Sequence, residues 1–321
     1  MDFVGIMLLS VGLAAMQYIL EEGARNDWFD SRAISICAVV ATLGLILFVM
    51  RELTAPVPVV DLTLFKDSVF LSGTLIGAVM FAMLLSITFL LPVFMQELLG
   101  FTAMQSGLAL MPRSLVMILV MPIVGRIYNK VSPRVVVAFG IVVFAFTAYV
   151  MSHYTLDTSA RGIIDVLALQ GVAFSCLFIP LTTVALSSIP RHKLADAAGL
   201  NTLFRQIGGS MGLAIFASLI NRYSTEARFA ISAHLYPGRP ELIDRLRAIT
   251  GGLMQHGFDM ESARDAAYRM LGGEIAQQSM VITFERLFLL SGIAFLCVLP
   301  LLLFLKSPAH GAPKPEVHVE M

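Results

Sequence analysis

Two arginines fall inside stretches that are otherwise apolar, and no other side chains in this sequence raise so direct a chemical question. Arg113 closes the run Leu110-Met111-Pro112-Arg113. Arg205 sits in Asn201-Thr202-Leu203-Phe204-Arg205-Gln206-Ile207-Gly208-Gly209-Ser210-Met211-Gly212. A charge at hydrocarbon depth is costly and is a functional candidate by default. Facing a cavity, it would meet a substrate or a mobile carboxylate. Otherwise it would snorkel to headgroups or cap a neighbour's carbonyls. The polar residues able to share such a cavity are Asn201, Gln206 and Ser210 beside Arg205, and Gln170 and Thr183 near Pro180. The hydroxyls of Thr182, Thr183 and Ser187 have a second reading, as partners for backbone groups around the proline.

The spacing around Arg205 says more than its charge. Asn201, Arg205, Gly208 and Gly212 recur at i, i+4, i+7 and i+11 and share one helical face. Gly208 and Gly212 form a GxxxG pair, with Gly209 between them, and small residues let a second helix approach closely. Arg205 is therefore expected to face a helix–helix seam rather than lipid. Gly73 and Gly77 offer a similar seam in an earlier stretch, and packing is the expected role of all five glycines.

Catalytic chemistry has no foothold. HExxH and phosphate-loop patterns are missing, as are paired carboxylates in a soluble cleft, and the six histidines scatter through loops and tail. Cys37, Cys176 and Cys297 lie in apolar runs without metal-ligand spacing. No catalytic residue, metal or cofactor is expected, the chain does not read as an enzyme, and any transport must draw on a gradient. A channel is disfavoured because no charge ring or carbonyl-rich filter motif appears.

The elements that must position these residues are membrane spans. Of 321 residues, 57% are hydrophobic and 14% charged, against about 25% charged in soluble domains. The surplus apolar surface must face a lipid bilayer. The net charge of zero gives no reason to expect nucleic acid. About 20 apolar residues cross the hydrocarbon, and eight segments qualify: roughly 3–20, 33–50, 69–94, 103–127, 135–151, 163–188, 199–221 and 284–305. The first lacks a basic n-region and a small-residue cleavage site, so it reads as a retained span.

Basic residues set the expected orientation. Arg51, Lys66, Arg126, Lys130, Arg134, Arg191, Lys193, Lys306 and Lys314 fall on one side, and only Arg25, Arg32 and Arg161 in the opposite short loops. The first side is expected to be cytoplasmic, with both termini on it. Residues 222–283 form a long outer loop expected to contain helices. Asp259 stands at an N-cap position before Ala263, Ala266, Ala267, Met270 and Leu271, and Pro237 and Pro240 bracket a turn.

With the spans laid out, the chain resembles the C-terminal three-fifths of the fourteen-helix drug:proton antiporters of the major facilitator superfamily, the EmrB/QacA type. The resemblance rests on Leu20-Glu21-Glu22-Gly23 with Asp27-Trp28-Phe29, Val59-Val60-Asp61-Leu62 with Leu64-Phe65-Lys66, and Leu91-Pro92 with Gln96-Glu97. It continues through Ser106-Gly107-Leu108, Met111-Pro112-Arg113, Gln170-Gly171, Pro180-Leu181-Thr182-Thr183 and the Arg205–Gly212 stretch. The segment Gly125-Arg126-Ile127-Tyr128-Asn129-Lys130-Val131-Ser132-Pro133-Arg134 is similar to a degenerate copy of the superfamily's cytoplasmic loop motif. Asn129 replaces its acid and Pro133 a glycine, so Gly125, Arg126, Lys130 and Arg134 are expected to form a basic gating loop, without a charge relay.

The resemblance implies an all-α integral membrane architecture of about eight helices. An inserted helix pair (1–50) and a cytoplasmic linker (51–68) precede a six-helix C-terminal half (69–305, including the 222–283 periplasmic loop) and a cytoplasmic tail (306–321). It also implies that the N-terminal six-helix half lies outside this sequence, making the chain a fragment, an internal-start product or half of a split transporter. The implied activity is export of amphipathic drugs or small molecules by proton antiport across a bacterial inner membrane. In that scheme the seventh span lines the cavity with Asn201, Arg205 and Ser210, and the third, fourth and sixth complete the wall. The competing readings are a non-transporting scaffold that docks a periplasmic adaptor (membrane fusion) protein through the outer loop, and an inactive truncated product.

Overall fold

The computed structural model describes residues 2–26, 28–54, 61–128, 130–233 and 239–304. Asp27, Val59, Val60, Asn129, Pro237, Lys306, Lys314 and the rest of the 306–321 tail lie outside the described residues. Among the described residues all regular secondary structure is helical. Its nine helices are α1 (Phe3–Glu22), α2 (Arg32–Thr54), α3 (Ser68–Glu97), α4 (Ala103–Tyr128), α5 (Pro133–Met151), α6 (Ala160–Ser187), α7 (Leu194–Ala233), α8 (Pro240–Gln255) and α9 (Met260–Leu296). All but α8 are long and apolar enough to cross a membrane, giving eight spans. The chain is a multi-pass membrane protein.

The helices start where side chains satisfy their first amides. Asp2 accepts from Val4 and Gly5, Asp67 from Val69 and Phe70, Ser159 from Gly162, and Asp259 from Ser262. The Asp259 cap falls where the sequence places it, and Ala263 and Ala267 behind it are fully buried.

Within the six-helix part the pairing is reciprocal. The helices divide into α3-α4-α5 and α6-α7-α9. The first helix of each triplet packs on the second helix of the other, α3 on α7 and α6 on α4, while the third helices, α5 and α9, meet each other. Two inverted three-helix repeats related by an axis in the membrane plane pack this way. Aromatic rings fill the core. Phe144 stacks edge-on against Phe174 and Phe295, and Phe94 against Phe284 and Phe288.

Two helices overrun their expected ends. The seventh span continues from Asn221 to Ala233, and the eighth begins at Met260, far ahead of Phe284. At ~1.5 Å per residue, helices of 40 and 37 residues reach roughly twice the ~30 Å hydrocarbon thickness. The stretch 222–283 contains helices as expected, and among the described residues these are two helical extensions with α8 between them. Hydropathy ends near Asn221, but backbone hydrogen bonding and pairs such as Arg222–Glu226 at 3.0 Å carry the helix onward. At its other end α9 stops at Leu296 and gives way to a 3₁₀ turn over Leu299–Phe304, which includes Pro300.

The first two spans form a hairpin against α7. Its glycines set the spacing: a Cβ on Gly44 would lie 3.1 Å from Gly12 Cα. The Arg51–Asp2 ion pair at 2.9 Å closes one end.

Candidate functional site

Close approach of α7 to α3 determines where Arg205 goes. Gly208 lies under Ala78 and Gly212 under Ala82, so near that added Cβ atoms would sit 2.6 Å from Ala78 O and 2.6 Å from Ala82 Cβ. Gly209 abuts the flexible ends of Leu85 and Phe81. One turn earlier, Gly77 leaves room for the methylenes of Arg205, 3.5 Å from its would-be Cβ, and Gly73 admits Ala185 of α6.

The Arg205 guanidinium then lies between two rings, 4.3 Å from the Phe178 centroid and 5.2 Å from that of Phe81. Its Nη1 donates to Thr182 Oγ1 at 3.3 Å. Cation–π attraction of this kind is worth about 0.5–2 kcal/mol per ring, more where water is excluded. Among the described residues no carboxylate pairs with it. The result is a half-buried cation with aromatic faces on both sides at the junction of α3, α6 and α7.

The other polar candidates divide. Asn201 shares the Arg205 face; it is 4% exposed and its Oδ1 has no hydrogen-bond partner. Gln206 points outward, and only its carbonyl is engaged, accepting from Ser210. Ser210 turns away from Arg205 and donates to Gln17 of α1 at 2.8 Å, fastening α7 to the α1–α2 hairpin. Thr183 is exposed and bonds the Ile179 carbonyl of its own helix. Its neighbour Thr182 is the one beside Arg205, and it also bonds the Phe178 carbonyl. Neither hydroxyl reaches the Cys176 carbonyl that Pro180 releases.

Arg113 forms a second polar point, on α4. It is 8% exposed; its Nη2 donates to Thr88 Oγ1 of α3 at 2.9 Å, while Nη1 is buried without a partner. Gly171 allows α6 to press against this turn, because a Cβ there would lie 2.5 Å from Arg113 O. The adjacent Gln170 is wholly buried, and neither amide atom has a partner. Arg113 and Gln170 are therefore buried within the helix bundle, and Arg113 does not snorkel outward. Phe81, Phe178, Thr88 and Gln17 carried no sequence signal beyond being apolar or mildly polar residues within spans.

The basic segment after α4 is short. Gly125 and Arg126 still belong to α4, and Arg134 opens α5 and donates to Leu303 O at 3.2 Å. Lys130 is exposed in the connection. A clamp lies at the same end of the bundle. Asp61, ahead of α3, pairs with Lys193, ahead of α7, at 2.5 Å, while Phe65 stacks on Phe204 at 4.8 Å. The Lys193 ammonium, with help from Thr63, holds the Asp61 carboxyl below its ordinary range. Glu97, at the other end, is an exposed helix-end carboxylate. A buried carboxylate does occur, at Glu52 in the last turn of α2.

Residues 3–213 match the family model for the Major Facilitator Superfamily. The chain belongs to the Major Facilitator Superfamily. Among curated relatives it is 33% identical over 309 residues to the multidrug export protein EmrB of Haemophilus influenzae, covering 96% of this chain and 59% of that protein. It is 31% identical over 311 residues to the Escherichia coli K12 protein of the same name, with 96% and 59% covered. It is also 30% identical over 310 residues to the fatty acid resistance protein FarB of Neisseria gonorrhoeae, with 97% and 60% covered. The chain spans about three-fifths of the length of these relatives. Within this superfamily member, Arg205 and its aromatic walls lie inside the matched region, while α8 and α9 lie beyond it.

Proposed function

We propose that this chain supplies one wall of a gradient-driven exporter of amphipathic small molecules, with an inserted helix pair attached and a six-helix N-terminal half as its counterpart. Arg205 carries this reading. It is a cation held half-buried between Phe81 and Phe178, without a carboxylate partner among the described residues. Aromatic faces suit flat apolar ligands, and the guanidinium gives an anionic group, on a ligand or on a mobile carboxylate of the opposite half, something to pair with. Protons are the proposed coupling ion, as the resemblance to drug:proton antiporters implies, and the sequence shows no nucleotide-binding pattern.

Alternating access requires two halves rocking about a midplane site. The wide apolar faces of α4 and α7, including Leu115, Leu119, Met211 and Ile215, suit contact with lipid or such a half. The distribution of basic residues supports a bacterial inner-membrane reading with both termini in the cytoplasm and 222–283 outside. Asn201, Gln170 and Arg113 are the proposed polar companions of Arg205 in the cavity.

The test joins this chain to the N-terminal half of an intact relative and follows ethidium accumulation in cells. The expected result is lowered accumulation that an uncoupler abolishes and Arg205→Ala largely removes. Undiminished efflux by Arg205→Ala would refute the role given to Arg205.

A second reading is favoured by the outer extensions of α7 and α9, which carry helical surface well past the bilayer. That surface suits docking of a periplasmic adaptor protein. Deleting residues 235–258 should then abolish adaptor co-purification, and capture that survives the deletion refutes the docking.

A further inference from the structure

Beyond the membrane-crossing portions, α8 and the first half of α9 run antiparallel beside the end of α7. Pro240 opens α8 at its first turn, and Arg245–Glu274, at 2.7 Å, ties the two helices together. Leu242, Leu246 and Met254 on α8 face Tyr268, Leu271 and Ile275 on α9 across an open cavity of about 820 Å³. That volume lies within the roughly 300–1,000 Å³ typical of small-molecule sites.

Two features separate this space from an ordinary packing fault. First, the lining contains two guanidiniums, Arg247 and Arg264, and no carboxylate. Arg264 leans over the Tyr268 ring at 5.9 Å and pairs with no acid among the described residues. Arg247 has Asp244 of its own helix at 3.5 Å, with both side chains largely exposed. The apolar cavity thus carries one guanidinium with an acid beside it and one, Arg264, without an acid partner among the described residues. Second, Gly251 and Gly272 line it from opposite helices, and a Cβ on either would meet nothing within 4 Å. Glycine inside a helix costs about 1 kcal/mol relative to alanine, and no neighbouring helix requires it at these two positions. Their absent side chains widen the cavity from both sides.

We propose that this cavity binds an amphipathic anion, in the simplest case a medium- or long-chain carboxylate. The alkyl chain lies between α8 and α9, and the head is held by Arg247 and Arg264 through charge-assisted hydrogen bonds. The site is remote from the Arg205 seam and does not rest on the transport reading.

The experiment uses the full chain in lipid nanodiscs with a diazirine-bearing dodecanoate, photolysis and peptide mass spectrometry. Adducts are expected on α8 and α9, displaced by dodecanoate and not by dodecyltrimethylammonium. Arg247→Gln with Arg264→Gln should lower labelling about tenfold or more, whereas the double Lys variant should retain most of it. Gly251→Leu with Gly272→Leu should fill the cavity and abolish labelling while the thermal midpoint holds. The proposal is overturned by adducts confined to the membrane spans, by equal labelling of the double Gln variant, by equal displacement with the ammonium amphiphile, or by a partner polypeptide cross-linked in the cavity.

Discussion

Arg113 Nη2 donates to Thr88 Oγ1 at 2.9 Å while Nη1 of the same guanidinium is buried with no partner. One hydroxyl is thus all that the described residues offer a cation 8% exposed inside the helix bundle. Removing that hydroxyl with Thr88→Val should destabilise the purified chain by about 1–3 kcal/mol, the usual result of orphaning a buried polar partner. Arg113→Met, which removes the charge itself, should be neutral or stabilising yet impair efflux in the reconstituted transporter. Thermal midpoints and dye accumulation together separate the two effects. Efflux unchanged by Arg113→Met would reduce Arg113 to a structural group.

Arg205 should not tolerate lysine. A flat guanidinium stacks on Phe81 and Phe178, and an ammonium does not reproduce that geometry. Arg205→Lys is expected to lose most of the transport lost in Arg205→Ala, and Phe178→Leu to weaken transport several-fold with a smaller change in stability, of about 1 kcal/mol. Substrate titrations of dye efflux check both, and a fully active Lys variant contradicts the stacking argument.

The α3–α7 seam makes a size prediction. Gly212→Ala places a Cβ 2.6 Å from that of Ala82, and overpacking a tight interface costs about 1–3 kcal/mol. Ala82→Gly in the same chain should restore part of the loss, because it removes the nearest clashing atom and leaves Ala82 Cα at 2.8 Å and O at 2.9 Å. A melting-temperature cycle over the four variants measures this coupling, and strict additivity would place the contact elsewhere.

The Asp61–Lys193 clamp makes a pH prediction. The carboxyl is held below its ordinary value of 3.8, mainly by Lys193. Its stabilising contribution is therefore full above that value and fades as pH falls through the depressed one. The wild-type chain should be slightly more stable than Lys193→Met at neutral pH, by about 1 kcal/mol for a pair still partly open to solvent. The two should converge in strong acid. A gap that persists there would mean Lys193 acts by packing.

How far the sequence carries depends on the kind of force involved. Apolar stretches long enough to cross a bilayer must be helices, because lipid offers no partners for backbone groups. Eight spans, the Asp259 cap and the turn of Arg205 toward a small-residue seam follow from that and from helical period alone. The ends of α7 and α9 did not follow, because polar helix carries no hydropathy signal.

Which hydroxyl meets Arg205 also escaped the sequence. Thr182 and Thr183 are adjacent residues of the same type, about 100° apart around α6. Only the way α6 crosses α3 and α7 sets Thr182 against the guanidinium and leaves Thr183 exposed. Ser210 likewise shares a helix with Arg205, and the docking of α1 claimed it for Gln17. Hydrophobicity and period determined by themselves that this chain lies in a membrane and which face of α7 is packed. Tertiary structure decided the partners, because a side chain's partner depends on a second helix whose rotation and crossing angle no local pattern records.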